Sequence, residues 1–121
     1  MAKILIVDDS ETHLYSLQKM VEGAGHEVIT ATSGEEGIEL SKSKLPDVIL
    51  MDIVMPGLNG LQATRKISKD EKTAHIPVIF VTTKDQETDR VWGMRQGAAA
   101  YITKPVDKKE LLKAIDDALG G

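Results

Sequence analysis

The chain has 121 residues and a formal net charge of -4, which allows one domain of ordinary size and gives no basic face for nucleic acid. Apolar residues make up 41% and charged residues 28%, enough for one core under a soluble surface. The absence of cysteine excludes disulfides and thiolate chemistry, the apolar runs are too short to cross a bilayer, and Met1-Ala2-Lys3 leads into a strand-like run without a signal peptide, so a cytoplasmic protein is expected.

Short apolar runs alternate with helical patterns along the chain. Lys3 to Val7 reads as a strand, after which Leu14, Leu17, Val21 and Ala24 recur at helical spacing until Gly25. Glu27 to Ala31 is a second strand, and Ser33 with Glu36 has the spacing of a capping box opening a second helix. Val48 to Met51 is a third strand, followed by a weaker helix over Gly60 to Ser68 with Leu61, Thr64 and Ile67 on one side. Val78 to Thr82 is a fourth strand, and Asp85 is expected to cap a helix running to about Gly97. Ala100 to Thr103 is a fifth strand. Asp107 and Glu110 then suggest another capping box, with Leu111, Leu112, Ile115, Ala118 and Leu119 as the core stripe of the last helix. The closing Gly120-Gly121 is expected to carry no structure.

Nearly all-apolar runs of this kind predict strands buried on both faces of a parallel sheet. The expected fold is α/β: a flavodoxin-like (βα)5 doubly wound parallel sheet in the order 2-1-3-4-5, forming a single domain over residues 1–121 with no output domain. In such sheets sites form at the carboxyl ends of the strands. There the sequence puts Asp8-Asp9 after the first strand, Asp52 after the third, Thr82-Thr83 at the fourth and Lys104-Pro105 after the fifth. Three carboxylates in one cleft repel each other, and either a raised pKa or a bound cation offsets this. An all-oxygen site with few protein ligands suits Mg²⁺. A carboxylate is also a nucleophile toward phosphorus, with Lys104 and the Thr82 hydroxyl suited to phosphoryl oxygens. A single Asp after a strand is more often a turn or cap residue; four such coincidences on adjacent strands make that joint reading poor.

Together with the loop Met55-Pro56-Gly57-Leu58-Asn59-Gly60, these residues resemble the response-regulator receiver domain of two-component signalling, from Lys3 to Leu119. Met51 to Arg65 and Ile76 to Gly97 resemble in particular single-domain regulators of twitching motility by type IV pili, and chemotaxis receivers share much of the signature. The resemblance implies that Asp52 is the phosphoacceptor. Asp9 would bind Mg²⁺ directly, Asp8 through water, and the Val54 backbone carbonyl would be a further ligand beside Asp52. Thr82 would move toward the phosphoryl group, Lys104 would contact one of its oxygens, and the Lys104-Pro105 bond would be cis. Tyr101 would be an aromatic switch, changing rotamer as Thr82 moves. The donor would be a phosphohistidine on a histidine kinase. An effector protein would read the face made by the fourth helix, fifth strand and fifth helix. The chain would be no enzyme in the ordinary sense, although it carries its own phosphoryl transfer and slow self-dephosphorylation, and a monomer is expected before phosphorylation.

Val54 and Lys84 flank the expected phosphoryl position and are read as tuning its lifetime. His13, His26 and His75 lack metal-ligand spacing and are set aside as solvent-facing or helix-end residues. Met51, Met55 and Met94 read as packing, and Trp92 reads equally as a partner anchor or as the helix's own packing edge. A haloacid-dehalogenase-type phosphatase would want a second Asp where Val54 stands. A flavodoxin-like cofactor binder would face phosphate with an acidic cluster. The remaining rival is a docking or dimerising module that works without phosphorylation.

Overall fold

The computed structural model describes residues 1–120 and contains five strands and five helices in strict alternation. They are β1 (Lys3–Val7), α1 (Glu11–Gly23), β2 (Glu27–Ala31), α2 (Gly34–Lys44), β3 (Val48–Met51), α3 (Gly60–Lys69), β4 (Val78–Thr82), α4 (Glu87–Arg95), β5 (Ala100–Thr103) and α5 (Lys108–Ala118). The strands form one parallel sheet in the order β2-β1-β3-β4-β5, as expected. β1, β3 and β4 are buried along nearly their whole length, because helices cover both faces. The edge strand β2 departs from that expectation: only Ala31 is fully buried, since an edge strand lies at the margin of both helical layers.

The alternation of side chains along the strands splits the core in two. Ile4, Ile6, Leu50 and Ile79 face Leu14, Leu17 and Val21 of α1 and Leu111 and Ile115 of α5. Leu5, Val7, Met51 and Phe80 face the other way, toward Ala63 and Ile67 of α3 and the ring of Tyr101.

Several helix ends differ from the sequence reading. Ala24 is exposed as the C-cap of α1, and Gly25 follows with φ 93°. Ser33 accepts from Glu36 N–H, but the Glu36 carboxylate accepts from Thr32 N–H at 2.8 Å, so the expected box is only half closed. The complete reciprocal box is at α3, where Asn59 and Gln62 bond each other's backbone N–H at 3.0 and 2.9 Å. Asp85 does not cap α4. Gln86 is the N-cap, and Asp89 reaches back to its N–H at 3.3 Å. Asp107 caps α5 through Glu110 N–H, while Leu119 lies past the last turn and is exposed. Gly121 of the closing pair lies outside the described residues.

Candidate functional site

Three of the expected residues are held by ladder bonds that run one step beyond their strands. Asp8 N–H donates to Ala31 O at 3.0 Å, Asp52 N–H to Val7 O at 3.0 Å, and Lys104 N–H to Thr82 O at 2.8 Å. Val7 is in register with Met51, and Met51 with Phe80. Side chains that directly follow β1, β3 and β5 therefore emerge at the same sheet end. Carboxylate oxygens of Asp8, Asp9 and Asp52 lie within 4.8 Å of one another. Asp8 and Asp52 are buried and Asp9 is exposed, so the cluster opens to solvent on the Asp9 side.

Lys104 is the counter-charge. Its ammonium, on a side chain only 8% exposed, donates to Asp8 Oδ2 at 2.7 Å and lies 3.5 Å from Asp52 Oδ2. The Lys104–Pro105 peptide is cis. The other oxygen of Asp8 accepts from Ser10 N–H at 2.9 Å, which ties Asp8 to the N-cap of α1. Burial pushes the Asp52 carboxyl above its ordinary value, and repulsion from Asp8 adds to this. Lys104, the Val54 N–H and the Thr82 hydroxyl pull the other way. The net rise means that the negative charge of Asp52 is poorly compensated by protein groups alone. A set of hard oxygen donors with excess negative charge fits a divalent cation such as Mg²⁺.

Behind the carboxylates a hydrogen-bonded chain leads to α4. The buried Thr82 hydroxyl accepts from Lys84 N–H at 3.3 Å, and Lys84 O accepts from the Tyr101 hydroxyl at 2.8 Å. Tyr101 is buried with its ring against Phe80, and its phenol is pushed up to about 12, by burial first and then by Asp89, Asp52 and Asp85. Val54 donates its N–H to Asp52 Oδ1 at 3.2 Å while its side chain stands exposed at the rim. Val54 and Lys84 line one groove of about 340 Å³, together with Met55, Asp89 and Trp92.

Some residues stand elsewhere than read. His13 is not merely solvent-facing: its Nδ1 lies 2.8 Å from Lys104 Nζ and 3.8 Å from Asp8 Oδ2. Its sequence signal is its place in the first turn of α1, the helix that follows Asp8-Asp9, which returns it over the strand end. His26 is half-buried and accepts from Ala2 N–H at 3.1 Å, whereas His75 is exposed. Met51 and Met55 are buried, but Met94 is exposed on the outer side of α4. Trp92 is 57% exposed with Arg95 over its ring at 5.5 Å, so it does not serve as a core edge.

Residues 4–116 match the family described as the response regulator receiver domain. The chain is 61% identical to Protein PilH of Pseudomonas aeruginosa over 121 residues, covering 100% of both chains. Among solved structures it is similar to a putative response regulator from Chloroflexus aurantiacus, with TM-score 0.94, 30% identity and coverage of 99% and 98%. It is similar to the Vibrio cholerae chemotaxis protein CheY4, with TM-score 0.91, 29% identity and coverage of 98% and 99%. The receiver domain of the Pseudomonas aeruginosa sensor histidine kinase PA1611, solved with a magnesium ion coordinated in the active site cleft, aligns at TM-score 0.91 and 28% identity, with coverage of 99% and 98%.

Proposed function

The chain belongs to the response regulator receiver domain family, and from that premise we propose that it accepts a phosphoryl group on Asp52 and uses it to change its binding to a protein partner. The observation that carries this reading is the meeting of Asp8, Asp9 and Asp52 within 4.8 Å, with the Lys104 ammonium 3.5 Å from Asp52. Asp8, Asp9, Asp52 and the Val54 carbonyl would hold Mg²⁺. When bound, the ion neutralises charge on the equatorial phosphoryl oxygens. An Asp52 oxygen forms the new O–P bond as the P–N bond of a phosphohistidine donor on a histidine kinase breaks, and the leaving imidazole nitrogen keeps the electron pair. Lys104 and the Thr82 hydroxyl take phosphoryl oxygens that the bare carboxylate does not offer.

Phosphorylation then draws Thr82 forward. Because Thr82 Oγ1 accepts from the Lys84 N–H and Tyr101 Oη donates to the Lys84 carbonyl, the shift reaches the loop and the face made by α4, β5 and α5. An effector that prefers this face in one state gains differential affinity. Similarity to PilH over the whole of both chains supports a role in type IV pilus twitching motility or chemotaxis-like signalling. On this reading the receiver acts in the cytoplasm and is monomeric until phosphorylated.

Incubation with Mg²⁺ and a small acyl-phosphate donor, followed by intact mass, tests the reading. The expected outcome is a gain of one phosphoryl group that requires both Mg²⁺ and Asp52, and is lost in Asp52→Asn. No gain in folded protein, with a phosphorylated histidine kinase as donor as well, overturns it in favour of a docking module. The rim gives a second expectation. Val54→Asn replaces an apolar shield with an amide that orients water, and speeds loss of the phosphoryl group roughly ten-fold, about the effect of one added hydrogen bond in the transition state. An unchanged decay in both Val54→Asn and Lys84→Ala would remove the rim from the mechanism.

A further inference from the structure

The geometry points to His13 as a positioning residue for Lys104: it accepts one ammonium hydrogen and thereby fixes the lysine head against Asp52. The inference rests on the phosphoryl-accepting reading of Asp52 and deepens it.

An ammonium has three hydrogens and no acceptor, on a stem of four flexible carbons. In this chain the three directions are taken by Asp8 Oδ2 at 2.7 Å, His13 Nδ1 at 2.8 Å and Asp52 Oδ2 at 3.5 Å. Because the lysine only donates, His13 Nδ1 accepts, which leaves the ring N–H at Nε2. Two short bonds thus anchor the head, and the third, longer direction is aimed at the carboxylate that is to carry the phosphoryl group. Asp8 alone would leave the head free to rotate about a single bond. With His13 the head is held at two points, so less freedom remains to be lost when it meets a phosphoryl oxygen.

The backbone explains how His13 arrives there. Ser10 N–H bonds Asp8 Oδ1 at 2.9 Å, and Ser10 Oγ accepts from His13 N–H at 3.3 Å. One short turn therefore carries the chain from the carboxylate into α1 and returns the imidazole over the strand end. His13 is 45% exposed and lines a surface groove with Leu17, Met20 and Pro105, so its replacement leaves the core intact.

The test uses the full chain and two variants, His13→Ala and His13→Asn; Asn places its Oδ1 close to where Nδ1 stood. Two readings are taken. With lysine labelled at Cε and Nζ and no phosphoryl donor present, the wild type is expected to show a Lys104 ammonium signal protected from exchange, assigned by its loss in Lys104→Met. His13→Ala is expected to lose that protection and His13→Asn to keep it. With Mg²⁺ and an acyl-phosphate donor, His13→Ala is expected to phosphorylate about five-fold more slowly, the effect of one net hydrogen bond, and His13→Asn to recover most of the rate. A Lys104 signal unchanged in His13→Ala overturns the proposal, as does an unchanged rate, or failure of Asn to restore either reading. If the wild type takes no phosphoryl group at all, the function proposed for Asp52 falls and the role of His13 in it falls too. The Lys104 signal then reports separately whether the contact itself is present.

Discussion

α3 and α4 lie on the same face of the sheet and flank the loops that bear Asp52 and Lys84, yet they are attached very differently. α3 buries Gly60, Ala63, Thr64 and Ile67, begins in a closed capping box, and has Ile67 O bonded by the Thr73 hydroxyl at 2.7 Å. α4 buries Gly93 and turns Val91, Trp92 and Met94 outward. Apolar contact holds a helix to its sheet at roughly 25 cal/mol per Å² removed from water, so α3 is firmly seated and α4 lightly. The contrast separates two jobs. The helix behind Asp52 keeps that residue in place. The helix at the far end of the Thr82–Lys84–Tyr101 chain is cheap to displace, as the switch proposed above requires.

Two glycines test this contrast most severely. Gly60 packs so closely on the loop that a Cβ there would overlap the Asp52 carbonyl oxygen and stand 2.8 Å from Ile53 Cα. Both obstacles are backbone, and α3 is pinned. Gly60→Ala is therefore expected to lose about 3 kcal/mol or more in denaturant unfolding. A Cβ at Gly93 would meet the Tyr101 ring at 2.8 Å and Phe80 Cδ2 at 3.3 Å, which are side-chain atoms under a helix free to back away. Gly93→Ala is expected to cost only about 1 kcal/mol, with faster amide exchange confined to α4 and the Lys84 loop. Equal losses in the two variants would break the comparison.

The same contrast explains what was legible in the sequence. β1, β3 and β4 announce themselves as largely apolar runs, and Asp8, Asp52 and Lys104 each follow directly on a strand, so strand order alone brings these three together. α4 was harder to delimit. With glycine as its one buried residue it has no apolar stripe, and its cap is Gln86 working with Asp89 instead of Asp85. His13 was hidden for another reason. Spacing in sequence does not reveal that a turn through Ser10 returns the ring to Lys104, ninety-one positions away. Val54 and Lys84 could be placed at a rim, but that Trp92 shares their groove depends on how α4 leans over it.

The smallest expected effect concerns the firm side, and its sign is opposite to that of most buried substitutions. Asp52 is held where burial and Asp8 raise its pKa above the ordinary 3.8, so the folded chain binds a proton more readily than the unfolded one. Below the ordinary value both states are protonated and Asp52 adds no pH dependence. As pH rises from there through the raised value, the unfolded state ionises first and stability falls, and above it the whole penalty stays. Asp52→Asn removes the charge without orphaning Lys104, whose ammonium keeps Asp8 and His13 at 2.7 and 2.8 Å. At neutral pH and without added Mg²⁺ the variant is expected to be more stable than wild type by on the order of 1 kcal/mol. That gap should shrink toward zero as pH approaches the ordinary carboxyl range. Because Asp52 sits on the loop that α3 pins, slower exchange should appear in β3 and α3 and leave α4 unchanged. A variant less stable than wild type at neutral pH would mean that Lys104 over-compensates the burial of Asp52, and a gain that spread to α4 would mean that the two helices move as one.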